Sequence, residues 1–201
     1  MPPDRTAPLA LWESAPMTAD LLTSVLSAVQ QSQAPQGVET RIVAIDGAGG
    51  AGKSTLAAWL ATELDAPVIH TDDFASWDNP IEWWPELIER ALKPLAAGRS
   101  ARYQPSVWAR DHQSPVVIEP GGTVVLEGVT ASRIAFRPYL AYSIWVETDR
   151  GVRLQRGIDR DGEAARTQWE RWMEAEDRYV ESERPAERAN VVLRGDRDLW
   201  E

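Results

Sequence analysis

Residues 41–60 read RIVAIDGAGGAGKSTLAAWL, a stretch that satisfies two phosphate-binding patterns at once. Gly47, Gly49 and Gly52 spell the G-x-G-x-x-G of dinucleotide-binding folds, and Gly47, Gly52, Lys53 and Ser54 spell the G-x-x-x-x-G-K-[ST] of P-loops. In both, a strand ends, the chain turns tightly, and backbone N–H groups point at an anion near a helix N-terminus. The residues after Gly52 separate the two. A lysine and a hydroxyl directly after the last glycine have no role in a dinucleotide fold. In a P-loop the ammonium reaches the β- and γ-phosphates and the hydroxyl ligates Mg²⁺. A dinucleotide fold also wants an acid at the end of the second strand, about 20 residues on. Asp72 meets that loosely, so Lys53 and Ser54 decide. The triphosphate reading wins, with Gly47, Ala48, Gly49, Gly50, Ala51, Gly52, Lys53, Ser54 and Thr55 as its nucleotide-binding residues.

The surrounding chain fits that reading. Its 201 residues suit one α/β domain, and 43% hydrophobic with 26% charged content is ordinary for a soluble globular protein. The absence of cysteine excludes disulfides and cysteine-ligated metals and is compatible with a reducing, cytoplasmic setting. No apolar run approaches the ~18 residues of a membrane span. The first 17 residues are proline-rich, read as irregular, and show neither a basic region nor a sustained apolar core of a signal peptide. A net charge of −10 argues against nucleic acid as the main partner. Only two of the 21 basic residues are lysines, Lys53 and Lys93, and one of them sits in the motif.

Apolar residues at helical spacing predict a helix over 18–31, which Pro35 and Gly37 then stop. Residues 1–38 therefore form an extension with one helix, packed on the domain or, alternatively, making a homodimer contact. Residues 39–201 form the main domain. Short β-branched runs predict strands at 40–46, 66–70, 123–129, 142–148 and 189–194, and helices are expected at 53–64, 85–97, 150–160 and 166–181. Strands alternating with helices imply a parallel sheet covered on both faces.

Three further features narrow the chemistry. In open α/β sheets ligands sit outside the carboxyl ends of strands, which is where HTDDF (70–74) places Asp72 and Asp73. Two carboxylates there can accept a proton from a substrate hydroxyl. Glu127 follows the apolar TVVL at a strand end and suits a Mg²⁺ contact. Arg153, Arg156 and Arg160 fall on one helix face, and guanidinium groups bind phosphate oxygens and stabilise a transferring phosphoryl group.

GAGGAGKST, DDF, VVLEG and RLQRGIDRD follow one another as in the uridine kinase-like P-loop kinases, and over residues 40–195 the chain resembles that group. It includes uridine–cytidine, nicotinamide riboside and bacterial pantothenate kinases and phosphoribulokinases. The resemblance implies a doubly wound parallel sheet, a mobile arginine-bearing lid at about 157–168, and transfer of the ATP γ-phosphate to an alcohol group of a small molecule. By position, it implies Asp72 as general base with Asp73 beside it in the acceptor site. Lys53 holds the phosphates, and Mg²⁺ is held by Ser54 with Asp72 and Glu127. Arg156 and Arg160 are the lid arginines and Arg153 stands at the lid's base, touching substrate. The segment 101–111 grips the acceptor through Tyr103 and Arg110. Where nucleoside kinases carry Y-D and then a histidine, this chain has Tyr103–Gln104 and then Trp108. An indole has one donor and no acceptor, so the acceptor is expected to be a nucleoside or another ring-bearing or sugar-like molecule that can stack on Trp108, Trp77, Trp83 or Trp84. The alternative is a regulatory ATPase or nucleotide switch that transfers phosphate only to water. The N-K-x-D of GTP switches is absent, and the D-x-x-G at 159–162 lies inside the arginine helix, where no switch loop would sit.

Overall fold

A computed structural model describes residues 18–76, 79, 81–106 and 114–195. The readings made above for residues 1–17, Trp77, Trp108 and Arg110 lie outside them. Seven strands and seven helices are described, with short 3₁₀ turns between them: α1 (Ala19–Gln31), β1 (Arg41–Asp46), α2 (Lys53–Leu64), β2 (Val68–His70), α3 (Trp84–Leu87), α4 (Lys93–Ala96), β3 (Ala101–Tyr103), β4 (Val116–Ile118), β5 (Thr123–Glu127), β6 (Leu140–Glu147), α5 (Arg150–Asp161), α6 (Arg166–Glu183), α7 (Pro185–Arg188) and β7 (Val191–Arg194).

The main sheet is five-stranded and parallel in the order β2-β5-β1-β6-β7. β1 is its centre. From β1 the chain runs outward to β2, returns to β5 beside β1, and then crosses to β6 on β1's other side. That reversal leaves a crevice at the carboxyl end of β1, the place where doubly wound sheets bind ligands.

Alternation along β1 sends its residues to two different cores. Val43 and Ile45 pack with Leu21, Leu22, Val25 and Val29 of α1 and with Leu56, Ala57 and Leu60 of α2. Ile42 and Ala44 pack with Leu87, Ala91, Leu92 and Leu95 and with Phe74, Trp83, Tyr103 and Phe136. Both faces are thus covered, which is why the strands read as near-continuous apolar runs. All of these positions are buried: Leu60 is 0% exposed, and cutting it to alanine would cost about 2–5 kcal/mol.

The α1 helix begins where Thr18 Oγ1 accepts from Leu21 N–H at 3.3 Å, an N-cap that satisfies one otherwise orphaned donor. The 85–97 helix differs from a simple helix. It is α3 and α4 joined through a wider π turn at Ile88–Leu92, with Pro94 just inside α4. Proline lacks the N–H that a regular i→i−4 bond would need, so the ladder is reset there. The antiparallel hairpin of β3 and β4 was not anticipated. Its strands are three residues each, too short to show alternation.

Candidate active site

α2 starts directly at Lys53, and Gly52 caps it in the left-handed conformation, φ +97°. The loop 47–52 therefore ends at the N-terminus of α2, a position that favours an anion. Lys53 is buried, and its Nζ donates to Ala48 O at 3.0 Å. Ser54 Oγ donates to Glu127 Oε1 at 3.1 Å, and the other Glu127 oxygen faces His70 Nδ1 at 2.8 Å. β2 and β5 pair with His70 opposite Glu127, so the register itself joins them. Burial pushes the Glu127 carboxyl up, but His70, Lys53 and Ser54 outweigh it, and it lies below the ordinary glutamate range. The bond from Glu127 raises the His70 imidazole above its usual value, against its partial burial.

Asp72 follows in a short 3₁₀ turn and reaches solvent. The walls around its carboxyl push it above the usual aspartate range; Lys53 and His70 pull it down, and Glu127 and Asp73 push it up. Arg160 feels the Asp72 charge as well. Lys53, His70, Asp72, Asp73, Glu127 and Arg160 are therefore brought to one place. Asp73 is buried and accepts from Tyr103 OH at 3.0 Å. Tyr103 is itself buried, and burial and Asp73 push its phenol far up. The pair ties β3 to the turn after β2.

The arginines of α5 divide. Arg153 is buried, with Nη1 on Glu176 Oε2 at 3.2 Å and Nε on Thr148 O at 3.1 Å. These contacts tie its guanidinium to α6 and to the residue after β6. Arg156 donates to Gly50 O at 3.1 Å and Gly195 O at 2.8 Å. Arg160 forks onto Asp161 at 2.9 and 3.0 Å and lies 5.2 Å over the Trp169 ring. Trp83 packs against Phe74 and Phe136, and Trp84 lies under Arg133, so both are engaged with the fold.

Several site residues carried no motif. Asp46, fully buried at the end of β1, accepts from Gly47 N–H (2.7 Å), Thr130 N–H (3.0 Å), Ser132 N–H (2.9 Å), Ser132 Oγ–H (2.7 Å) and Tyr179 O–H (2.6 Å). Burial pushes its carboxyl up while those hydrogen bonds pull it down. Its place beside the first glycine was the available signal. His70 stood in the quoted HTDDF without a role.

Oxygen donors suit Mg²⁺, which takes one or two protein ligands and completes its shell from phosphates and water. Ser54 and Glu127, already in contact, fit that pattern, and Asp72 feels the Glu127 charge. Among the described residues no cluster of three or more acidic or histidine side chains forms a metal cage of its own, and no helix is long and apolar enough to cross a membrane.

No protein-family model matches the sequence, and no curated relative matches it either. Solved structures do. A possible uridine kinase from Bacillus stearothermophilus superposes with a TM-score of 0.62 at 22% identity, covering 87% of this chain and 97% of that one. A provisionally described fructose transport system kinase from Silicibacter sp. TM1040 gives a TM-score of 0.58 at 19% identity, covering 86% and 98%. The central strand, the five-stranded parallel order and this likeness over nearly the whole of both neighbours agree: the chain shares the parallel α/β fold of these two structures.

Proposed function

We propose that this protein is a kinase that transfers the γ-phosphate of Mg-ATP to a hydroxyl of a small metabolite, with Asp72 as general base. One observation carries the reading. A carboxylate with no hydrogen-bond partner among the described residues stands at the end of β2, in the electrostatic reach of the phosphate-loop lysine, Glu127 and Arg160. A phosphate-binding loop alone needs no such group, whereas transfer to an alcohol does.

In this mechanism the loop amides and Lys53 hold the phosphates, and Ser54 with Glu127 and Asp72 would hold Mg²⁺. The ion supplies charge neutralisation for the phosphate oxygens. The acceptor oxygen forms a bond to the γ-phosphorus in line with the departing β–γ bridging oxygen, ADP leaves, and the hydroxyl proton passes to Asp72. The raised Asp72 value brings the base closer to neutral pH, where general bases work best. Arg160 leaves Asp161 to meet the transferring charge, and Arg156 and Arg153 hold the loop. Asp73 and Tyr103 shape the acceptor side, for a nucleoside or another ring-bearing or sugar-like molecule. The kinase names of the two structural neighbours support the same class.

The test is ADP release from Mg-ATP across uridine, cytidine, nicotinamide riboside, pantothenate and common sugars. A saturable rise with one acceptor establishes the kinase and names its class. ADP release that no acceptor raises points to a regulatory ATPase instead.

A further inference from the structure

α6 buries Met173, Glu176 and Tyr179 at three-residue spacing, so an acid stands in the helix's apolar stripe. Glu176 is 1% exposed, and its partners come from three directions. Oε1 accepts from Gly49 N–H of the phosphate loop at 2.8 Å, Oε2 pairs with Arg153 Nη1 at 3.2 Å, and the Trp172 indole N–H donates as well. Arg153 is joined to Thr148 O, and Thr148 Oγ1 donates to Ala51 O at 3.0 Å. The loop is therefore tied to α5 and α6 at both Gly49 and Ala51. Lys53 Nζ rests on Ala48 O, next to Gly49, and its charge reaches Glu176. The ammonium that serves the terminal phosphates thus stands beside the residue that Glu176 holds.

We propose that Glu176 is a positioning residue for the terminal phosphate of a bound triphosphate, acting through Gly49 and Arg153; this deepens the kinase reading and rests on it. The carboxylate stays in place when nucleotide enters, because its departure would strand the buried Arg153 guanidinium and the Gly49 amide. It links the loop's outer turn and the stem of the lid into one arrangement. A diphosphate relies on the inner loop amides, which Glu176 does not touch, so the effect falls on the triphosphate.

Calorimetric titration of the full chain with Mg-ATP and with Mg-ADP tests this, using the parent, Glu176→Gln, and a double variant that adds Arg153→Met. Glu176→Gln weakens Mg-ATP about tenfold, the scale of one charge-assisted hydrogen bond. Mg-ADP weakens less than about threefold, because its phosphates do not reach the outer turn. The double variant removes the stranded guanidinium, so thermal stability returns toward the parent while the preference for ATP over ADP stays reduced. Equal losses for both nucleotides overturn the proposal, as does a preference restored together with stability, which marks the pair as structural only. Tighter Mg-ATP binding by Glu176→Gln also overturns it, because the carboxylate is then a competitor for the phosphate site. A parent that binds neither nucleotide removes the kinase reading itself.

Discussion

On the phosphate side of the site, polar groups are engaged before any ligand arrives: Lys53 with Ala48, Glu176 with Gly49, Arg153 with Glu176 and Thr148, Arg156 with Gly50 and Gly195. At the carboxyl end of β2, by contrast, the Asp72 carboxyl is held by no hydrogen bond among the described residues, and it feels the charges of Lys53, Glu127, His70 and Asp73. In the proposed kinase that solvent-exposed carboxyl meets a substrate hydroxyl. One half is thus a loop whose neighbouring polar side chains each already have a protein partner. The other half leaves one carboxyl without such a tie among the described residues. Phosphate binding recurs in many proteins and reuses backbone, whereas acceptor choice depends on individual side chains.

The largest expected effect breaks the comparison at the open half. Asp72→Asn keeps shape and removes the base, so turnover falls at least ~100-fold, while affinity for ATP in metal-free buffer by calorimetry stays within about threefold of the parent because the loop's own contacts remain. Unchanged turnover would leave the acceptor side without its base. On the closed half, Lys53→Ala should weaken Mg-ATP itself by about tenfold to a hundredfold, the range for hydrogen bonds to charged groups; parental affinity would contradict the P-loop assignment.

A third variant measures how tightly the closed half is packed. Glycine to alanine inside a helix normally stabilises by about 1 kcal/mol. At Gly157 an added Cβ would lie 2.4 Å from the Trp169 ring, so the sign should reverse. Overpacking of about 1–3 kcal/mol lowers the melting temperature by about 2–10 °C. A rise would mean that the ring is not held against α5.

The smallest effect is a pH dependence. His70 has its folded value raised, chiefly by the bond to Glu127. A raised value stabilises the folded state fully below the unfolded value of about 6.5 and loses that stabilisation as pH climbs through the folded one. In metal-free buffer, the stability gap between the parent and His70→Gln should be widest near pH ~6 and close toward pH ~9. A gap that grows with pH would show the imidazole bound neutral.

Much of this was legible in the chain because it is local. The glycine loop, its lysine and the apolar runs of β1, β5, β6 and β7 declare themselves within a few residues, as do α1, α2, α5 and α6. Where signals were short or mixed they failed: the three-residue strands β3 and β4, and the wide turn between α3 and α4. The stripe of Arg153, Arg156 and Arg160 was visible as a stripe, but its partners were not. Guanidinium groups seen from sequence are equally suited to a ligand, a carbonyl or an acid.

By itself the sequence determined a strand, an anion-binding turn and a helix in succession, and two acids after the next strand, because spacing and residue type suffice for local geometry. Only the tertiary structure decided that Glu176 would reach Gly49 across 127 positions, that Tyr179 and Ser132 would converge on Asp46, and that His70 would face Glu127. Those contacts arise from helix packing and strand register, which bring together side chains with no shared period along the chain, and burial then forces each polar group to find the partner it has been placed beside.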